Sequence, residues 1–163
     1  MSGGYPGRIY PVNSRRDKIL GLRGYKDIRE VEDEVDVGVI VVPARFVLDV
    51  VKGCAEKGVK FTPIISSGFS EIGNREGEKK IVACAREHGM RVLGPNIFGI
   101  FSASSSLNAT FGPKNIKPGS IAIITQSGAL GVAMIGKTAV ENIGLSAIVS
   151  VGNKSDVNET DLL

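Results

Sequence analysis

The chain has 163 residues, 42% of them apolar and 23% charged, and a formal net charge of +3. This balance fits a globular protein with a sizeable core in one domain, or one domain and part of another, and excludes collagenous, low-complexity and highly charged disordered chains. With two cysteines (Cys54, Cys84) and one histidine (His88), neither a disulfide framework nor a Cys/His metal cluster is expected; no apolar run has the length of a membrane span.

The first residues show no charged region leading into an apolar stretch, so no secretory signal is read and a cytoplasmic location is expected. Residues 9–12 predict a short strand that stops at Asn13. A basic loop follows, with Arg15, Arg16 and Lys18. Through residue 30, Arg8, Arg15, Arg16, Lys18, Arg23, Lys26 and Arg29 stand against Asp17, Asp27 and Glu30. Such a cluster suits an anionic ligand, but without aromatic interleaving or a groove-reading motif it does not read as a nucleic-acid surface. Residues 20–25 are ambiguous.

Residues 35–42 are nearly continuous in valine and isoleucine and predict a strand buried on both faces, as in a parallel sheet, stopped by Pro43. Residues 44–57 predict a helix: Val47, Val50, Val51 and Cys54 recur at i, i+3, i+4 and i+7, and Gly58 stands at the C-terminal cap. The next strand, 61–65, runs into Ser66, Ser67 and Gly68. A helix over 75–88 carries Ile81, Ala85 and His88 on one face. A strand over 91–93 runs into Gly94-Pro95-Asn96, and 97–101 reads as another short strand.

Residues 112–119 carry Pro and Gly at both ends and read as an interdomain linker, placed at 114–118, between a first domain over 1–113 and a second over 119–163. Beyond it come a buried strand over 121–124, a helix over 127–142 and a strand over 147–151 that ends in Gly152-Asn153. Residues 161–163 would begin a helix too short to hold itself. Strands alternating with helices of ~12–15 residues indicate right-handed βαβ units and an α/β fold.

Ligands of open parallel sheets bind in the crevice outside the carboxyl ends of the strands. Here those ends carry Val12-Asn13, Ser66-Ser67-Gly68, Gly94-Pro95-Asn96 and Gly152-Asn153. Small residues let a ligand approach the backbone. Asn96 can both donate and accept, toward a ligand amide or carbonyl or in an Asx turn of its own. Arg15 and Arg16 offer planar forks for phosphate and Lys18 a point charge, unless all three simply face solvent. Ser127-Gly128 opens a helix whose free amides attract phosphate, with Ser127 serving also as N-cap. A nucleophile elbow is not met, because Thr125 and Ala129 replace its glycines and His88 closes a helix. A dinucleotide-binding domain lacks its Gly-x-Gly-x-x-Gly.

In order along the chain stand Gly7-Arg8-Ile9-Tyr10-Pro11-Val12-Asn13, Val39-Ile40-Val41-Val42-Pro43-Ala44, Ile64-Ile65-Ser66-Ser67-Gly68-Phe69, Gly94-Pro95-Asn96, Leu107-Asn108-Ala109-Thr110-Phe111, Gln126-Ser127-Gly128-Ala129-Leu130 and Ser150-Val151-Gly152-Asn153-Lys154. With this ordered set the chain resembles the NDP-forming acyl-CoA synthetases, especially the ADP-forming acetate–CoA ligases, and more distantly the succinyl-CoA synthetase α subunits. The resemblance implies a Rossmann-like CoA-binding domain lacking its first βα unit, followed by the start of a flavodoxin-like second domain. The absent first strand is central in a doubly wound sheet, so its two neighbours are expected to expose unpaired backbone groups. The family's phosphohistidine and ATP-grasp region are not expected within this chain.

The function implied is that of a ligase fragment that does not turn over alone. Its coenzyme A cleft would be formed by Val12, Asn13, Arg15, Arg16, Lys18, Pro43, Ser66, Ser67, Gly68, Pro95 and Asn96. Part of a phosphohistidine or acyl-phosphate cradle would come from Ser127, Gly128, Gly152 and Asn153. No catalytic residue and no metal ligand is assigned. ATP or ADP, with Mg, would enter only through an ATP-grasp subunit or domain, the implied partner. The competing readings are a stand-alone CoA-binding module without catalysis and a non-functional gene remnant that folds poorly or swaps strands.

Overall fold

In the computed structural model, which describes residues 4–163, a parallel layer forms where the valine-rich and isoleucine-rich segments meet. β3 (Phe61–Pro63) and β4 (Arg91–Leu93) pair in parallel. The 36–40 segment lies parallel on the other side of β3 through bridges at Val37–Phe61 and Ile40–Ile64. α1 (Ala44–Glu56) and α2 (Arg75–Glu87) cover one face. The Asn74 side chain caps α2 by accepting from the Gly77 amide at 3.1 Å, and Glu76 and Glu78 complement the positive end of the helix dipole. Ile40, Val47, Val51, Val59, Ile64, Phe69, Ile81, Met90 and Val92 form the core between sheet and helices. Cys54 joins this core as a free thiol pushed up by burial to about 11, and Cys84 is also free.

The second layer is a four-stranded sheet in the order β6 (Leu107–Thr110), β5 (Gly99–Ser102), β8 (Leu145–Ser150), β7 (Pro118–Thr125). β7 and β8 are parallel and joined by α3 (Gly128–Val140), the βαβ unit read from the sequence. β5 and β6 form an antiparallel hairpin, and β5 pairs antiparallel with β8. Hydrogen bonding therefore crosses the 114–118 segment, and β7 already begins at Pro118. Phe98, Ile123, Ile135, Leu145 and Ile148 fill the core of this layer. A third cluster, Leu93, Ile97, Val151 and Val157, packs against Phe61, Ile65, Ile124 and Val149 and joins the two layers.

The chain after β8 returns to the first layer. Ser155 and Val157 donate their amides to Gly94 O and Val92 O at 3.1 Å each. Between them the buried Asp156 carboxylate accepts from the Val92 amide at 2.8 Å, from Arg86 at 2.6 Å and from Arg91 at 3.0 Å.

Several local expectations are corrected. Residues 35–42 are not buried on both faces: Gly38 and Ile40 are buried, but Val37, Val39 and Val41 are 40%, 40% and 67% exposed. Among the described residues, only one edge of this segment is paired and only one face is covered. The ambiguous 20–25 stretch completes a hairpin of β1 (Lys18–Ile19) and β2 (Leu22–Arg23). Residues 9–12 contribute a single parallel bridge, Val12 to Tyr25, rather than a strand. The C-terminal helix does form, as one turn, α4 (Glu159–Leu162), because Asn158 and Asp161 build a reciprocal capping box.

Candidate functional site

Three turns at strand carboxyl ends meet in one hydrogen-bonded knot. The turn after β3 is held by Ser66, whose hydroxyl donates to Val42 O beside Pro43 and whose carbonyl accepts from the Asn96 amide at 3.0 Å. The turn after β4 contains a cis Gly94–Pro95 bond. Pro95 O accepts from the Asn153 amide at 2.9 Å, and Asn96 Nδ2 donates to Asn153 Oδ1 at 3.3 Å. The third turn, Gly152-Asn153 after β8, fits only because of its glycine. A Cβ at Gly152, which has φ +53°, would lie 2.2 Å from Pro95 O. Gly94, at φ +97°, is constrained less severely, since a Cβ there would lie 2.9 Å from Ile64 O.

Glu71 closes the knot. It lies in a 3-10 turn over Ser70–Ile72. Its carboxylate accepts from the Gly68 amide at 2.5 Å, the Phe69 amide at 3.2 Å and Asn153 Nδ2 at 2.6 Å. Burial pushes the Glu71 carboxyl up, but the bonds from Gly68, Asn153 and Phe69 outweigh it and hold the group below the usual carboxylate range. A cavity of about 560 Å³ opens beside these residues, lined by Ser70, Glu71, Arg75, Gln126, Gly152, Asn153 and Lys154. Val151 N donates to Thr125 O at 2.9 Å, which sets the end of β7, and so Gln126, next to the Gly152 turn. Ser127 then caps α3 by accepting from the Leu130 amide at 3.3 Å.

The structure thus brings together Pro43, Ser66, Gly68, Pro95, Asn96, Gly152 and Asn153, with Ser127 and Gly128 one step beyond Gln126 on the rim. Ser67 is exposed and makes no hydrogen bond among the described residues. The N-terminal candidates lie apart from the knot. Val12 is 44% exposed and lines a second, larger cavity. Asn13 turns its side chain inward on its own loop and accepts from the Arg15 amide at 2.9 Å. Arg15, Arg16 and Lys18 are exposed and make no salt bridge among the described residues. His88 is 3.0 Å from Cys84 O at the end of its own helix, which leaves Ser127 without an imidazole.

Sequence reading missed Glu71, Arg75, Gln126 and Lys154. An acid placed three positions after a strand-end glycine was the available signal for Glu71, since a carboxylate there can reach back to the turn amides in the manner of a capping box. Nothing local marks Arg75 or Lys154, which reach the rim only because two layers pack together. The cleft combines the Glu71 carboxylate and the Asn153 carboxamide, bonded to one another, with the Gln126 carboxamide and two cations, Arg75 and Lys154, the latter paired with Glu159 at 3.0 Å.

Comparison with known proteins agrees with this architecture. The family described as CoA binding domain matches residues 4–102, and the family described as Succinyl-CoA ligase like flavodoxin domain matches residues 118–163. The α subunit of acetate–CoA ligase (ADP-forming) I from Pyrococcus furiosus is 54% identical over 98% of this chain, which covers 36% of that subunit. Acetate–CoA ligase (ADP-forming) from Methanocaldococcus jannaschii is 45% identical over 98% of this chain, which covers 23% of that protein. The dinucleotide-forming acetyl-coenzyme A synthetase 1 of Candidatus Korarchaeum cryptofilum superimposes with a TM-score of 0.97 at 53% identity, over 99% of this chain and 35% of that one. The chain therefore spans about a third or less of the length of these relatives. With the CoA binding domain matched over residues 4–102, more than half of the chain, and a βαβ unit after it that is similar to the succinyl-CoA ligase like flavodoxin domain, the chain belongs to the CoA binding domain family.

Proposed function

We propose that this chain supplies the coenzyme A cleft, and one wall of the phosphoryl-transfer site, of an ADP-forming acyl-CoA ligase of the acetate type. The observation that carries the proposal is the joining of the Ser66-Gly68, Pro95-Asn96 and Gly152-Asn153 turns by direct hydrogen bonds. The three turns lie at the carboxyl ends of β3, β4 and β8, and parallel sheets take their ligands at such ends, which supports the reading. In this reading the pantetheine arm runs along the 66–68 and 95–96 turns. Arg15, Arg16 and Lys18 attract the nucleotide phosphates. The amino end of α3 at Ser127-Gly128 faces the phosphoryl group together with Gly152 and Asn153.

The relatives named as ADP-forming ligases, and the Korarchaeum synthetase solved with phosphate and ADP, support a reaction that converts acyl-CoA, ADP and phosphate into carboxylate, CoA and ATP. The nucleotide and its magnesium would be held by an ATP-grasp subunit or domain, the partner in this proposal, and the assembly would work in the cytoplasm. Among the described residues no helix is long and apolar enough to cross a membrane.

Isothermal titration of the chain with CoA tests the reading. Saturable heat, weakened by Asn96→Ala and by the triple change of Arg15, Arg16 and Lys18 to alanine, is the expected result. No heat at millimolar CoA would overturn it. Dephospho-CoA separates the two halves of the cleft, since only the basic loop should sense loss of the 3′-phosphate.

A further inference from the structure

The hydrogen bonds of the knot run in one direction, and Glu71 sets it. Its Oε1 accepts from the Gly68 and Phe69 amides at 2.5 and 3.2 Å. Its Oε2 accepts from the Phe69 amide at 3.2 Å and from Asn153 Nδ2 at 2.6 Å. Burial pushes this carboxyl up, but the bonds from Gly68, Asn153 and Phe69 prevail, so the group is ionised at neutral pH. An ionised carboxylate only accepts. Asn153 must therefore turn its nitrogen toward Glu71 and its oxygen toward Asn96. That oxygen needs a donor, and Asn96 Nδ2 supplies it at 3.3 Å.

The consequence falls on the last group of the series. With Nδ2 tethered to Asn153, the end of the Asn96 carboxamide left for a ligand is Oδ1. This oxygen has no partner among the described residues, and it is not sealed from solvent. Turning the Asn96 carboxamide over would set its oxygen against Asn153 Oδ1. Turning Asn153 over would set its oxygen against the carboxylate and its nitrogen against Asn96 Nδ2. Each reversal leaves like groups facing one another in place of a bond. The main chain of Asn96 is fixed as well, since its amide donates to Ser66 O at 3.0 Å.

We propose that Glu71 is a positioning residue that makes the ligand-facing end of Asn96 a hydrogen-bond acceptor, so that the 95–96 turn selects a pantetheine amide N–H of CoA over a carbonyl group. The proposal rests on the CoA reading given above and adds to it the polarity of one contact.

The same logic states what reverses the series. In Glu71→Gln the introduced oxygen must stay on the Gly68 and Phe69 amides, which only donate, so the introduced nitrogen faces Asn153. Asn153 and Asn96 then both turn over, and Asn96 offers Nδ2 to the ligand. Adding Asn153→Asp returns an acceptor-only group one step along. It accepts from position 71 on one side and from Asn96 Nδ2 on the other, and Asn96 Oδ1 is free again.

Isothermal titration with CoA and with two analogues, each with one pantetheine amide N–H replaced by an ester oxygen, tests this. One analogue should bind the parent chain about tenfold or more weakly than CoA does. In Glu71→Gln that ratio should fall below about threefold, and the double variant Glu71→Gln with Asn153→Asp should restore it. A purely structural loss would weaken CoA and analogues alike and leave the ratio unchanged. In the ligand-free parent chain the Asn153 Nδ2 protons should show a nuclear Overhauser contact with the Phe69 amide proton, absent in Glu71→Gln. Equal binding of CoA and both analogues by the parent chain overturns the proposal and leaves the CoA reading standing. So does a missing Overhauser contact in the parent chain, or a folded Glu71→Gln variant that keeps the parent's ratio. No heat with CoA itself is a different result, which removes the CoA reading and this proposal with it.

Discussion

Asn153 donates its side-chain amide to the Glu71 carboxylate at 2.6 Å, across 82 positions of sequence. The bond ties the turn after β8 to the turn after β3. Because the same carboxylate also holds the Gly68 and Phe69 amides, the shape of one turn depends on the presence of the other.

That dependence is measurable as a coupling energy. Glu71→Ala and Asn153→Ala should each lower stability in urea by about 1 kcal/mol, with a coupling of about 0.5–1 kcal/mol in the double variant, since the bond is solvent-exposed. Strictly additive losses would mean that the two turns are positioned independently. Both single changes should weaken CoA more than they lower stability.

Asp156 is the stronger tie between the layers, because its side chain is 0% exposed while Arg86 and Arg91 remain largely in solvent. Asp156→Ala leaves the Val92 amide without an acceptor and should cost about 3 kcal/mol in chemical denaturation. Asp156→Asn keeps one acceptor and should cost less. A loss under about 0.5 kcal/mol for the alanine variant would show that the loop after β8 docks by apolar contacts alone.

The same carboxylate sets an acid limit. Burial pushes Asp156 up, but the Val92 amide, Arg91 and Arg86 outweigh it and hold the group below its ordinary value of 3.8. A depressed folded pKa means that its stabilisation is fully present above 3.8 and is lost as pH falls through the lower folded value. Denaturation midpoints measured from about pH 5 to about pH 2 should fall less steeply in Asp156→Asn than in the parent chain.

Gly152→Ala should displace the third turn. The added Cβ meets a backbone oxygen, Pro95 O, and the residue must keep φ +53°. The expected loss is about 2 kcal/mol or more, together with loss of the Asn96–Asn153 contact. Gly136→Ala, where a Cβ meets nothing within 4 Å on α3, should be neutral or slightly stabilising.

Much of this molecule is legible residue by residue. The helices at 44–56, 75–87 and 128–140 follow from apolar spacing and from caps such as Gly58 and Ser127, which act within one turn of chain. The strand-end positions of Ser66, Asn96 and Asn153 follow from where apolar runs stop. The pairing of β5 with β8 does not, because nothing near Ile100 specifies Val149 as its partner. The exposure of Val37, Val39 and Val41 was misread for a related reason. A continuous apolar run shows that a strand wants burial on both faces, but not that both faces are covered.

The amino-acid sequence by itself determined the alternation of strands and helices, the small residues at the strand ends and, through their order, the family. Only the tertiary structure decided that three of those ends share one knot closed by Glu71, and that Val37, Val39 and Val41 stay exposed. The reason is range: periodicity and capping act between residues a turn apart, whereas the meeting of turns tens of residues apart depends on which apolar faces bury one another and on where every backbone donor finds its acceptor.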